Sequence, residues 1–184
     1  MQPKRMQLWL FAARLLMAAL PVGITGGAQA ETSESFGVSA SIVAGCLVDG
    51  LGDSGDAGLI GNLDFGTDSA FSTATHTATI GASQTMRLHC TPGVNVQMQI
   101  DGGVQALAGT RRLQHESDSS AAIAYSVCAD AACALPVAIG GTVAIPVSAA
   151  NDVDVRLPIF ARLSLPGNLP AGSYHDTLIV TLSW

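Results

Sequence analysis

Beyond residue 30 the 184-residue chain contains no lysine. Three of its eight basic residues, Lys4, Arg5 and Arg14, lie before that point and all fourteen acids lie after it, so residues 31–184 set five arginines against fourteen carboxylates, a formal balance of −9. Such a surface offers nothing to a phosphate backbone, and nucleic-acid binding is set aside. Helical periodicity is also missing after the first thirty residues, which excludes a bundle. The histidines, His76, His89, His115 and His175, form no i, i+4 metal pair, and no G-x-S-x-G elbow is present. His175 and Asp176 are neighbours on a strand and so point to opposite faces, which rules them out as a dyad in one site. In "DGLGDSGDAG" Asp49, Asp53 and Asp56 miss the calcium-loop spacing because Leu51 stands where a ligand belongs; the stretch reads as a solvated, glycine-rich loop. No catalytic constellation, metal site or cofactor is expected.

A basic start, the apolar stretch "LLMAALPV" and the small-residue site "AQA" before Glu31 read as a secretory signal peptide over 1–30. Arg14, Pro21 and the glycines interrupt the apolar run well short of the roughly 20 residues a membrane span needs. Residues 31–184 are enough chain for one domain with a sizeable core. Export makes the cysteines, Cys46, Cys90, Cys128 and Cys133, candidates for disulfides, with three possible pairings. "CADAAC" favours a local Cys128–Cys133 bridge, which leaves Cys46 for Cys90. A four-thiolate zinc site lacks its usual C-x2-C pairs.

Strand patterns fill the rest. "MRLHC" places Met86, Leu88 and Cys90 on one face, "VNVQMQI" alternates Val94, Val96, Met98 and Ile100 with polar residues, and "VDVRLPIFARLSL" alternates from Val153 to Leu163. "AAIAYSV" is a further strand. Turn signals at 91–93, 101–103 and 165–172 separate them, and the whole predicts an antiparallel β-sandwich. The two ends of the exported part stand out. Tyr174 to Trp184 reads as a last strand with Leu178, Val180, Leu182 and Trp184 on one face, and neither charge nor proline protects its edge after Asp176. At the front, Phe36, Val38, Ala40, Ile42 and Ala44 share a face of an amphipathic strand. Either these two segments pair within one chain, or the neighbour of the last strand is another molecule's first strand.

The ordered run of "GC" at 45–46, "LDFG" at 63–66, "LHCTPG" at 88–93, "IDGG" at 100–103, "TRRL" at 110–113, "IAYSV" at 123–127, "LPIFARL" at 157–163 and "PAGSYHDTLIVTLSW" at 170–184 resembles the spore coat protein U-like family, which includes the pilins of archaic chaperone-usher pili. The resemblance implies an incomplete immunoglobulin-like sandwich lacking its final strand, completed by a donor strand from another chain. By position, Phe36, Val38, Ala40 and Ile42 are the donor, within an extension over 31–44. Leu178, Val180, Leu182 and Trp184 are one wall of the acceptor groove in a pilin domain over 45–184. Cys46 and Cys90 match the family's usual bridge. The implied partners are a periplasmic chaperone, an outer-membrane usher and neighbouring pilin subunits, and the implied place is a cell-surface pilus reached through the periplasm. Its role there is surface attachment or biofilm formation. The alternative is a secreted β-sandwich that binds a ligand or coats a surface.

Overall fold

A computed structural model describes residues 37–50 and 52–184. The signal-peptide reading, Phe36 and most of the donor extension's first half lie outside the described residues. Residues 41–184 form one compact unit, and residues 37–40 fall outside it. The strands are β1 (Cys46–Val48), β2 (Thr75–Thr79), β3 (Leu88–Cys90), β4 (Asn95–Ile100), β5 (Arg111–His115), β6 (Ala122–Cys128), β7 (Thr142–Pro146), β8 (Phe160–Ser164), β9 (Tyr174–His175) and β10 (Val180–Ser183). The described residues contain no α-helix, and no helix there is long and apolar enough to cross a membrane.

All ladders are antiparallel: a five-stranded sheet ordered β2-β8-β6-β5-β9, a three-stranded sheet β10-β4-β7 and the pair β1-β3. The period-2 pattern decides which face each strand buries. Val96, Met98 and Ile100 of β4 and Ile145 of β7 meet Ile123, Tyr125 and Val127 of β6 and Ala161 and Leu163 of β8 in one core, the filling of a sandwich. Cys46 stands opposite Cys90 in the β1-β3 register and is bridged to it; Cys128 is bridged to Cys133. In the chain-entropy picture the first bridge, closing 44 residues, stabilises by about 4 kcal/mol and the second by about 2 kcal/mol.

Two expected strands come out differently. Val155, Leu157 and Ile159 are buried as the alternation requires, but only Phe160–Ser164 joins a ladder and Val153 is exposed. Val155 N–H donates to Leu88 O (3.1 Å) and Ile159 O accepts from Ile80 N–H (3.1 Å), but Pro158 has no N–H to give, and between these bonds the partner is the side chain of Gln84. Its amide nitrogen donates to the carbonyls of Met86 (2.9 Å) and Val155 (3.2 Å), and its oxygen accepts from Leu157 N–H (3.0 Å).

The last strand is broken. β9 pairs with β5 in the large sheet, whereas β10 pairs with β4 in the small one, so the chain changes sheets between Asp176 and Ile179. Two carboxylates hold the crossing. Asp176 accepts from Gln105 N–H (3.0 Å), Thr177 N–H (2.8 Å) and the Tyr125 hydroxyl (2.8 Å), while Asp101 accepts from Gly103 N–H (3.0 Å) and Ile179 N–H (2.9 Å). Gly103, at φ +82°, is required here: any Cβ would run into the Asp176 carboxylate.

Candidate functional site

β10 is an edge strand. One side is laddered to β4, with Ile100 opposite Val180 and Gln97 opposite Ser183; among the described residues no ladder occupies the other side. Beside it opens a cleft of about 1670 Å³, larger than the roughly 300–1,000 Å³ of a small-molecule pocket. Leu178, Val180, Leu182 and Trp184 all line it. The first three are half-buried and pack against the core, and the alternation that the sequence predicts for 178–184 survives the break before it.

The segment 57–65 also lines the cleft, with Ala57, Ile60, Leu63 and Phe65 packed against the core. It forms no strand. Its backbone is held by the 80–85 turn instead: Thr85 N–H donates to Ile60 O (2.8 Å), the Thr85 hydroxyl to Leu59 O, and the Ser83 hydroxyl to Asn62 O (3.1 Å). Gly61, at φ +157°, lets the segment lie against Ile80, where a Cβ would stand 2.5 Å from Cγ1. Core side chains of Met86, Ile100, Ile123, Ile159 and Leu163 form the floor. Backbone groups along an open edge beside apolar side chains suit an extended segment that brings its own N–H and C=O groups.

A polar cluster adjoins the sheet crossing, and two of its members, Tyr125 and Asp176, line the cleft. Arg111 is buried in β5, and its guanidinium donates to the carbonyls of Asp101 (2.8 Å), Val137 (2.7 Å), Ile100 (3.0 Å) and Ala138 (3.4 Å). Desolvation lowers its pKa, opposed by Tyr125, Asp101 and Asp176. Burial, and then the hydrogen bond to Asp176, pushes the Tyr125 phenol well above the ordinary value of 10.0. His115, also buried, accepts Ser117 N–H (3.1 Å) and Asp118 N–H (3.0 Å) at Nδ1, which makes Nε2 the protonated nitrogen facing Ala171 O (3.2 Å).

The proposed donor residues are placed differently. Val38 is 85% and Ile42 96% exposed; neither these nor Ala40 belongs to a strand. The extension's root is fixed, however: Gly45 N–H donates to Thr91 Oγ1 (3.3 Å), Gly45 O accepts from Thr91 N–H (2.9 Å), and the Trp184 indole lies against Gly45. The other flagged residues are dispersed. Asp49 faces His89 at 3.2 Å, Asp56 caps Gly58 N–H, and His175 is exposed on the face opposite Asp176. The cleft's second wall and the Asp101–Arg111–Tyr125–Asp176 cluster were missed by sequence reasoning; the period-2 spacing of Leu63 and Phe65 was the available signal for the wall.

No curated protein sequence matches the chain. Among solved structures, a chain of the CsuC–CsuE chaperone–tip adhesion subunit pre-assembly complex, from the archaic chaperone-usher Csu pili of Acinetobacter baumannii, is similar at 15% identity and a TM-score of 0.46. The match covers 78% of this chain but 40% of that one. The model of the spore coat protein U domain matches residues 32–181, most of the 184-residue chain, and the chain therefore belongs to the spore coat protein U domain family.

Proposed function

We propose that the chain is a structural pilin subunit of an archaic chaperone-usher pilus, in which the 31–44 extension of one copy fills the cleft of another. The observation that carries the reading is an apolar cleft along the unpaired edge of β10 in a chain whose own alternating segment, Val38 to Ile42, stands in solvent. Family membership and the ordered motif run support it. In this role a periplasmic chaperone covers the cleft first, and at the outer-membrane usher the next subunit's extension replaces it. The resulting fibre serves attachment or biofilm formation. No reaction is catalysed.

Burying Phe36, Val38, Ile42 and Ala40 against the cleft contributes on the order of 5 to 8 kcal/mol before entropy costs, and a new backbone ladder adds to that. Donor and groove therefore fail differently. Ile42→Asp puts a charge where a side chain must enter a neighbour's apolar cleft, at a cost of several kcal/mol, but leaves its own cleft intact; chaperone binding survives and fibres are lost. Val180→Asp damages the cleft wall and loses the chaperone complex itself. Purification of both variants with the chaperone, followed by heat-resistant oligomer ladders on gels, distinguishes them. If Ile42→Asp loses the chaperone as badly as Val180→Asp, the extension belongs to the subunit's own core and the reading is wrong.

A further inference from the structure

The two ends of the sandwich are unlike. Because β4 and β10 are antiparallel, the 101–107 loop and the 176–179 crossing share one end, and the Thr91–Gly93 turn, Trp184 and Gly45 share the other. At the first end apolar side chains stand in solvent: Val104 is 73%, Leu107 59% and Ile139 41% exposed. Gly102 joins the two loops, since a Cβ there would stand 3.1 Å from Ala106 and 3.3 Å from Ile139. At the second end the exposed residues include Pro92, Ala149 and Ala150, small and uncharged. Gly93 N–H donates to Val147 O (3.0 Å), which sets the 148–151 turn beside the root of the extension.

Chain length ties these two ends together. Residues 36–42 match the seven positions of 178–184, about 23 Å of extended chain. Every ladder in the described residues is antiparallel, and a donor that follows this rule along β10 enters at the Trp184 end and leaves at the Val180 end. Only Val43 and Ala44 then separate it from its own Gly45, a reach of about 10 Å at most. The donor copy's Gly45 end must land on the acceptor's 101–107 end.

We propose that the Val104–Leu107–Ile139 patch of one copy is covered by the 91–93 and 148–151 turns of the next, a head-to-tail interface beside the donor strand. It rests on the fibre reading above. A heterologous contact propagates as a filament wherever its rotation does not close a ring, and this one removes from water apolar side chains that a lone subunit leaves exposed.

The test is a Val104→Cys, Ala149→Cys double variant, assembled with the chaperone and usher, oxidised, and run on a non-reducing gel after full denaturation beside the two single variants. The expected result is a covalent ladder from the double variant alone. Linkage within the Val104→Cys single variant means like ends meet, and overturns the proposal. So does the absence of covalent linkage in fibres whose heat-resistant ladder is normal, an outcome that leaves the fibre reading standing. If the unsubstituted chain forms no ladder, the fibre reading fails and the interface fails with it.

Discussion

Tyr125 does two jobs in one side chain. Its ring belongs to the core, packed edge-on to Phe65 of the cleft wall with centroids 6.2 Å apart, and its hydroxyl reaches Asp176 at the sheet crossing. Tyr125→Phe keeps the ring and removes one hydrogen bond to a carboxylate, a loss of about 1.5–3 kcal/mol. The direction of the phenol's shift sets the pH dependence. The folded state holds the phenol protonated above its ordinary value of 10.0, so its contribution is fully present below pH 10 and is lost as pH rises beyond that, while the unfolded chain ionises and the folded one does not. Unfolding midpoints of the two proteins in the same assembled state, measured from pH 8 to 11, should therefore converge at the alkaline end. Parallel curves would show that another group governs the alkaline limb. Arg111 belongs to the same cluster: a planar donor set ties four carbonyls of the 100–101 and 137–138 segments to β5, a geometry lysine could not reproduce.

Among the elements, β4 and β6 were legible in the sequence because each is hydrogen-bonded on both sides and buried on one face, so that Val96–Met98–Ile100 and Ile123–Tyr125–Val127 alternate without interruption. The Val155–Ile159 segment shows the same alternation without a continuous ladder, because a proline and a distant glutamine interrupt its backbone bonds to Leu88 and Ile80, and neither effect is written into a period of two. Gln84→Ala tests this directly: it strands Leu157 N–H and the Val155 carbonyl in the interior, and a loss of about 2–4 kcal/mol is expected in chemical unfolding. A cost under about 0.5 kcal/mol would mean that water replaces the amide. The cleft was half legible. Its Leu178–Trp184 wall follows from alternation, but the 57–65 wall is embedded among glycines and aspartates and anchored to turn atoms, so that its apolar residues read as loop. The break at Asp176 was hidden for a related reason: a carboxylate in a strand pattern looks like one more outward-facing polar residue until the amides it accepts from are known.

For the whole molecule, the open edge and the uncovered cleft set the behaviour of the isolated chain. Expressed alone in a periplasm, it should be degraded or self-associate, and co-expression with a cognate chaperone should yield a one-to-one complex by size exclusion. A soluble, stable monomer without any chaperone would show that the sandwich closes by itself. The position of the Cys46–Cys90 bridge has a mechanical consequence in such a fibre. Tension arriving through an extension enters the body at Gly45 and meets the bridge one residue later. It crosses covalently to Cys90 and reaches Asn95 of β4 without passing through the three-residue ladder of β1. From β4 the load spreads along the four paired residues of β10, the strand against which the next copy's extension would lie in the proposed fibre. The pull runs along these strands, so their hydrogen bonds are loaded together in shear rather than peeled one by one. Rupture under force then depends on the unfolding rate of the small sheet, and reducing the bridge would transfer the full load to β1, the weakest element in the path.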